Sequence, residues 1–407
     1  MNKIKCIDGG GDLNLRMYFC GMKSTPAMRC WLLQLSTWPT SLYGKRGYPS
    51  NHHDFKEVYS LYRCTKISKQ SILNTENMEY RKLGNSDLQL SAITYGAFAI
   101  GGNMWGGTEK QDAIAAVQAS IDHGVTTIDT APFYGFGLSE QMIGEAIKGY
   151  DRTKIQLLTK FGLVWDGSNQ NMGEYFFDAE KNGKIIPVYH YASKSNVIKE
   201  VEESLRRLDT DYIDLLQIHW PDPTTPIAET MEALELLIKQ GKIRAAGVSN
   251  YSVAQVEEAR QTLAVVSDQV SYSMLNRSIE AELVPYAQEH ALGIIAYSPM
   301  ERGLLTGKYF KGGKLKSNDH RNDYFKQFDL EKVKIFLDAI GPLAELKSTT
   351  LAQLVLRWTT LQPAITVVLA GARNADQATS NAKAMEVTLS EADLRFIQEQ
   401  YEAAGLA

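Results

Sequence analysis

The chain has 407 residues, 44% hydrophobic and 22% charged, with a formal net charge of −4. That length allows two or three ordinary domains or one large barrel, and the composition excludes disordered, collagen-like and coiled-coil chains. The longest apolar run, Ala364–Ala372, is broken by Thr366 and falls far short of the ~20 residues that cross a bilayer.

Charge and cysteine are unevenly spread. Residues 1–77 hold all four cysteines (Cys6, Cys20, Cys30, Cys64) and 11 basic against 5 acidic residues; residues 78–407 hold no cysteine and 32 basic against 42 acidic. The longer part therefore has no disulfide framework and no thiolate metal chemistry. Its negative charge argues against nucleic acid as a partner, and no stretch points to a membrane.

No window of 1–77 shows helical or strand periodicity, and Gly9-Gly10-Gly11, Thr37-Trp38-Pro39-Thr40 and Tyr48–His53 read as turn or coil. The cysteine spacings are irregular and predict free thiols, not a zinc site. A basic start without a compact apolar stretch and cleavage site is not a secretory signal, and Asp8, Asp12, Asp54, Glu57 and Glu76 run against a transit peptide. The segment reads as an unassigned, disordered leader. Translation beginning at Met78 is the favoured explanation, an extension of unrecognised role the alternative, and a cytoplasmic location the expectation.

From Met78 the pattern becomes regular. A hairpin is predicted over Tyr80–Leu90, turning at Gly84-Asn85-Ser86-Asp87. Eight strands follow: Ala92–Ala97, Thr126–Thr130, Ile155–Lys160, Tyr212–His219, Arg244–Ser249, Gln269–Ser273, Gly293–Tyr297 and Ile365–Leu369. Amphipathic helices lie between them, as in Ile227, Met231, Leu234 and Ile238. Ser195 is placed to cap the helix running to Leu208 and Ser252 the one before Leu263, while Gly124 and Gly241 stand at helix ends. Eight strand–helix repeats predict an α/β fold of the (β/α)8 TIM-barrel class with long active-site loops. The rival, an open doubly wound sheet, calls for a glycine-rich turn leading into a helix, which Gly101-Gly102 and Gly106-Gly107 do not form.

Active sites of such barrels form where strands give way to helices. Those junctions hold Asp129 and Tyr134 after strand two, Lys160 ending strand three and His219 ending strand four. Alone, each has an ordinary explanation: a loop cap, a packing ring, a solvated lysine, a core histidine. Together they suit proton donation by tyrosine, since a buried Lys and Asp are tolerated as a pair. A nearby ammonium is expected to lower the pKa of Tyr134, Asp129 to hold Lys160 charged, and His219 to orient a carbonyl. That is the proton side of hydride addition to an aldehyde or ketone, for which a cofactor brings the hydride.

Residues 78–407 resemble the aldo-keto reductase family. Thr127–Glu140 is similar to the family's first signature, and Asp129, Tyr134, Lys160 and His219 fall on its catalytic tetrad. The resemblance implies that Ser249 and Asn250 in Gly247-Val248-Ser249-Asn250-Tyr251, together with Gln269, bind the nicotinamide carboxamide. It further implies that Tyr297, in Tyr297-Ser298-Pro299, stacks on the nicotinamide ring, with Ser298 beside it. Gly371, Arg373, Gln377 and Asn381 then take the adenosine half. Arg373 as partner of a 2′-phosphate points to NADP(H) over NAD(H). Trp220-Pro221-Asp222-Pro223 and Glu301–Lys308 look like the bacterial stress-protein and oxidoreductase branches.

The segments Gly162–Ala192 and Glu301–Phe328 are the expected substrate walls, with Trp105, Phe133, Trp165 and Trp220 as apolar lining. Three function classes follow: an NADPH-dependent carbonyl reductase acting on a small carbonyl compound, a nucleotide-sensing subunit resembling potassium-channel β subunits, and a Schiff-base aldolase using Lys160. Nothing in the sequence sets an oligomeric state.

Overall fold

A computed structural model describes residues 6–8, 11–13, 78–102, 108–167, 172–315 and 319–407. The chain divides into two units, Met1–Ile67 and Ser68–Ala407. The first contains a short antiparallel hairpin, β1 (Cys6–Asp8) and β2 (Gly11–Leu13), paired from Cys6 with Leu13 to Asp8 with Gly11. Strands of three residues are too short for a periodicity to show, so they escaped the coil reading of this segment. The expectations for the side chains of the four cysteines, and for Trp105, lie outside the described residues.

The second unit opens with the predicted hairpin, β3 (Tyr80–Lys82) and β4 (Gln89–Ser91). Eight parallel strands then close a barrel: β5 (Ile93–Gly96), β6 (Thr127–Asp129), β7 (Gln156–Phe161), β11 (Ile213–Ile218), β12 (Ile243–Ser249), β13 (Ser267–Ser271), β14 (Gly293–Tyr297) and β15 (Ile365–Gly371). The eight predicted strands are these eight, with no end displaced by more than two residues. Helices α1 (Lys110–Asp122), α2 (Leu138–Ala146), α3 (Lys194–Leu208), α4 (Ile227–Lys239), α5 (Val253–Arg260) and α6 (Leu283–Glu289) follow their strands. After β14 come α7 (Arg321–Tyr324), α8 (Leu330–Leu346) and α9 (Leu351–Thr360), and after β15 come α10 (Ala375–Ala382) and α11 (Glu391–Ala403).

Helix boundaries follow local chemistry. Ser252 and Gln255 form a capping box at α5. At α3 the cap is Ser193, whose Oγ accepts from the backbone N–H of Asn196; the sequence had pointed to Ser195, two residues too late. Both serines fit the residue preference, and only the backbone path decides between them.

Alternation along the strands makes two layers inside the barrel. Leu158, Leu215, Ala245, Ile295, Val367 and Leu369 pack in one apolar cluster with Leu83, Leu88 and Leu90 of the hairpin, which plugs the N-terminal end. Gly84 is required at that turn. Its φ is +48°, and a Cβ there would stand 2.1 Å from the Val266 carbonyl oxygen. Two residues beyond the apolar layer, on the same inward face, stand Lys160 and Gln217; Gln269 follows on β13. The rim is therefore polar where the floor is greasy.

One element departs from expectation. Residues 162–192, read as a loop, carry an antiparallel three-stranded sheet, β8 (Leu163–Val164), β9 (Glu174–Lys181) and β10 (Lys184–His190), in the order β8-β10-β9. Its tip is Asn182-Gly183, both with positive φ. That dipeptide between apolar runs is a strong hairpin signal, and it was there to be read.

Candidate active site

A cavity of about 870 Å³ opens at the C-terminal ends of the strands. Beneath it Lys160 Nζ donates to Asp129 Oδ1 at 2.6 Å and to the Thr130 carbonyl at 2.9 Å, and lies 3.4 Å from Tyr134 Oη. All three ammonium hydrogens are thereby spoken for. Lys160 and Asp129 are each 1% exposed, so this is a fully buried ion pair. Removing either partner from such a pair costs about 3–5 kcal/mol.

Tyr134 and His219 meet edge to face with ring centroids 5.8 Å apart, and Phe98 packs on Tyr134 at 4.9 Å. Asp129, Tyr134 and His219 line the cavity; Lys160 lies below it. Burial, reinforced by the Asp129 carboxylate, pushes the Tyr134 phenol well above its ordinary value. This reverses the expected direction. Loss of hydration, which the sequence does not display, outweighs the ammonium. Tyr134 therefore keeps its proton at neutral pH. His219 is driven well below the usual imidazole range, first by burial and then by the Lys160 charge, so it stands neutral.

The strand ends beside this group are laced together. Ser249 Oγ donates to the Gln269 carbonyl at 2.7 Å, Asn250 Nδ2 to the His219 carbonyl at 3.1 Å, and Tyr297 Oη to Asn250 Oδ1 at 2.9 Å. Asn250 (φ +61°) and Ser298 (φ +58°) hold left-handed backbone, a strain that clusters at functional sites. All five of Ser249, Asn250, Gln269, Tyr297 and Ser298 line the cavity. The Gln269 side chain, however, donates its amide to Asp129 Oδ2 at 2.8 Å.

At the far end the cavity is bounded by Gly371, Arg373, Gln377 and Asn381, as expected, and by Arg302, Lys308 and Arg321. Gln377 Oε1 accepts from the Arg373 backbone N–H at 2.9 Å, and Asn381 Nδ2 donates to the Gly371 carbonyl at 3.0 Å. Asn374 caps α10 through the Gln377 N–H. Arg321 is braced by Asp319 at 2.8 Å and by Tyr309 Oη at 2.8 Å. Burial, then the charges of Arg321 and Arg373, lowers the Lys308 pKa; burial, then Arg321, lowers that of Arg373. Lys308, Arg321 and Arg373 also border an adjoining cavity of about 520 Å³. The sequence pointed to 301–328 as a substrate wall and did not single out Arg302, Lys308 and Arg321 as cations of the site. They lie some 50 to 70 residues before Arg373, and only closure of the barrel brings them together.

The opposite end is apolar: Phe133, Leu163, Phe176, Phe177 and Trp220. Phe133 meets Phe177 at 5.6 Å and Phe176 meets Trp220 at 5.7 Å. Phe133 and Trp220 are where they were expected. Trp165 is not on the cavity; its ring packs behind the wall on Phe133 and Phe136, at 5.8 and 5.7 Å. Phe176 and Phe177 were missed with the ribbon that carries them.

Known proteins resemble this chain in sequence and in fold. The chain is 37% identical over 325 residues to an aldo-keto reductase of Bacillus subtilis, covering 79% of this chain and 92% of that one. It is 35% identical over 330 residues to an NADH-specific methylglyoxal reductase of Escherichia coli, covering 79% and 98%. Among solved structures, a glycerol dehydrogenase from Gluconobacter oxydans superposes with a TM-score of 0.71 at 33% identity, over 81% of this chain and 97% of that one. No described helix is long and apolar enough to cross a membrane. The sequence profile described as the Aldo/keto reductase family matches residues 92–402, and with that match the barrel, its polar rim and its relatives agree: the chain belongs to the aldo/keto reductase family of oxidoreductases.

Proposed function

We propose that the protein reduces aldehydes and ketones to alcohols, reversibly, with NADPH as hydride source and Tyr134 as the proton donor. The observation that carries this reading is the Tyr134–Lys160–Asp129 chain under the cavity. Tyr134 holds a proton within reach of a bound carbonyl oxygen. Lys160, fixed by Asp129, stands where it stabilises the phenolate left behind. Neutral His219 offers a ring N–H to the same oxygen without competing as an acid.

The residues at the other end fit a nicotinamide dinucleotide phosphate. Four cations converge on one end of the cavity, and the charged forms of Lys308 and Arg373 are disfavoured first by burial and then by their neighbours' charge, which is the environment a polyanion relieves. Asn250 and Gln269 present amide groups near the tetrad. When bound, the cofactor supplies the hydride. Arg373, Lys308 and Arg321 would hold its phosphates; Ser249, Asn250 and Tyr297 would hold its ring. The E. coli relative is named as NADH-specific, so the cation cluster is what favours NADPH here. The apolar end would take the body of the carbonyl compound. A Schiff base on Lys160 finds no support, since its ammonium is buried and fully engaged.

The test is Tyr134→Phe assayed with 4-nitrobenzaldehyde and NADPH. Turnover should fall on the order of a hundredfold or more, as for loss of a general acid, with NADPH binding retained. Unchanged turnover would overturn the assignment. Tight NADPH binding with negligible turnover of the unaltered protein on a broad carbonyl panel would favour a nucleotide-sensing role.

A further inference from the structure

Asp129 has two carboxylate oxygens, and the lysine takes one. The other, Oδ2, accepts from Gln269 Nε2 at 2.8 Å and from Gln217 Nε2 at 3.4 Å, while Gln269 Nε2 lies 3.3 Å from Gln217 Oε1. Asp129, Gln217 and Gln269 are all buried. A carboxylate only accepts, so both amides must turn their nitrogens toward it.

The two glutamines are not on neighbouring strands. β12 runs between β11 and β13, pairing Gly247 with Gln217 and Ser249 with Gln269. They meet because the intervening residue is a glycine: a Cβ on Gly247 would stand 3.2 Å from Gln217 Cγ and 2.5 Å from Ser267 Oγ. The barrel thus leaves a slot through which an amide from β11 reaches one from β13 over the same carboxylate oxygen.

We propose that Gln217 is a positioning residue for the proton transfer: with Gln269 it clamps Asp129 Oδ2, spreads the carboxylate charge over two amides and so eases ionisation of Tyr134. This rests on the reading of Tyr134 as proton donor. In carbonyl reduction the Tyr134 O–H bond breaks, an O–H bond forms on the substrate oxygen, and a phenolate remains until solvent reprotonates it. Its charge faces Asp129 and Lys160 from β6 and β7, His219 after β11 and Tyr297 on β14. Glu140 on α2 acts on Lys160, and His190 on β10 acts on His219. Among the described residues, the side chains that touch the Asp129 carboxylate are Lys160 and the two glutamines. An unclamped carboxylate concentrates its charge toward Tyr134, and the phenol becomes harder to ionise.

The experiment compares Gln217→Met, which removes the amide at similar size, with Gln217→Glu, which keeps the shape and replaces the donor by an acid. Two titrations are read: kcat for alcohol oxidation with NADP+, which needs ionised Tyr134, and the near-ultraviolet tyrosinate absorbance of each protein minus that of its Tyr134→Phe counterpart, which needs no turnover. Loss of one hydrogen bond to a charged group should move both titrations up by about half to one pH unit in the Met variant, and further in the Glu variant. A purely structural role would lower the melting temperature and leave the titration in place. Wild-type titrations in variants that still fold and bind NADPH overturn the proposal; if Gln217→Met fails to fold, the Glu variant decides. Should Tyr134→Phe stay active, the proton-donor reading falls. Should it lose activity while the Gln217 titrations stay put, only the clamp falls.

Discussion

Asp268 on β13 should make the protein less stable as pH rises, and Asp268→Asn should remove that dependence. The residue is 0% exposed, and neither carboxyl oxygen has a full hydrogen-bond partner among the described residues. Burial pushes its pKa up from 3.8 to about 8, offset only in part by the backbone N–H groups of Tyr251 and Asn250. With the folded value above the unfolded one, the group's contribution is fully present below about pH 4. It declines as the unfolded chain ionises while the native chain stays protonated, and it levels off above about pH 8. At ~1.4 kcal/mol per unit, a gap of roughly four units sets an upper bound of about 6 kcal/mol. Asparagine has nearly the same shape and no proton to lose. At roughly 2 °C per kcal/mol for a chain of this size, Asp268→Asn should raise the melting temperature by about 4–10 °C at pH ~8.5. Near pH 5 the gain should shrink to about a quarter of that. Melts of both proteins across this range are the assay. An equal shift at both pH values, or a variant that loses more stability at the higher pH, would refute the reasoning.

Two other outcomes follow from geometry. Arg373→Ala should raise KM for NADPH by about ten- to a hundredfold, the worth of one charge-assisted hydrogen bond, and leave KM for NADH within about threefold; parallel steady-state assays with the two cofactors check it. Gly84→Ala should destabilise by about 2 kcal/mol or more, because its Cβ meets the Val266 carbonyl in a left-handed turn. A denaturant melt measures that loss, while activity of the folded fraction stays unchanged because the turn lies at the far end of the barrel.

The barrel was legible because each strand is a short β-type run flanked by helix signals, and Gly293–Tyr297 was bounded to the residue. The tetrad was legible for a related reason: a strand end is also where a barrel places chemistry, so position along the chain stands in for position in space. That substitution fails for Arg302, Lys308 and Arg321, whose segment wanders over the rim in short helical turns. It fails again for Gln217, one residue before the strand's last and ordinary in the sequence until Gly247 and Gln269 are seen beside it. Tyr134 shows a different limit. Its partners could be named from the sequence, but the sign of its pKa shift depends on how much water the fold removes.

The ribbon beside the apolar end of the cavity has an apolar core of its own. Phe133, Leu163, Ala179 and Val188, with Phe177 and Trp220 packed on them, form a cluster separate from the two that hold the barrel. Opening free energy is then local: β9 and β10 can separate and reclose while the barrel strands stay protected, so their amides should exchange with solvent well ahead of those in β7 or β11. The same partition bears on variation. A substitution in this ribbon draws on a small reserve of stability that the barrel does not share, so the apolar end of the cavity can be reshaped while the polar rim keeps its geometry.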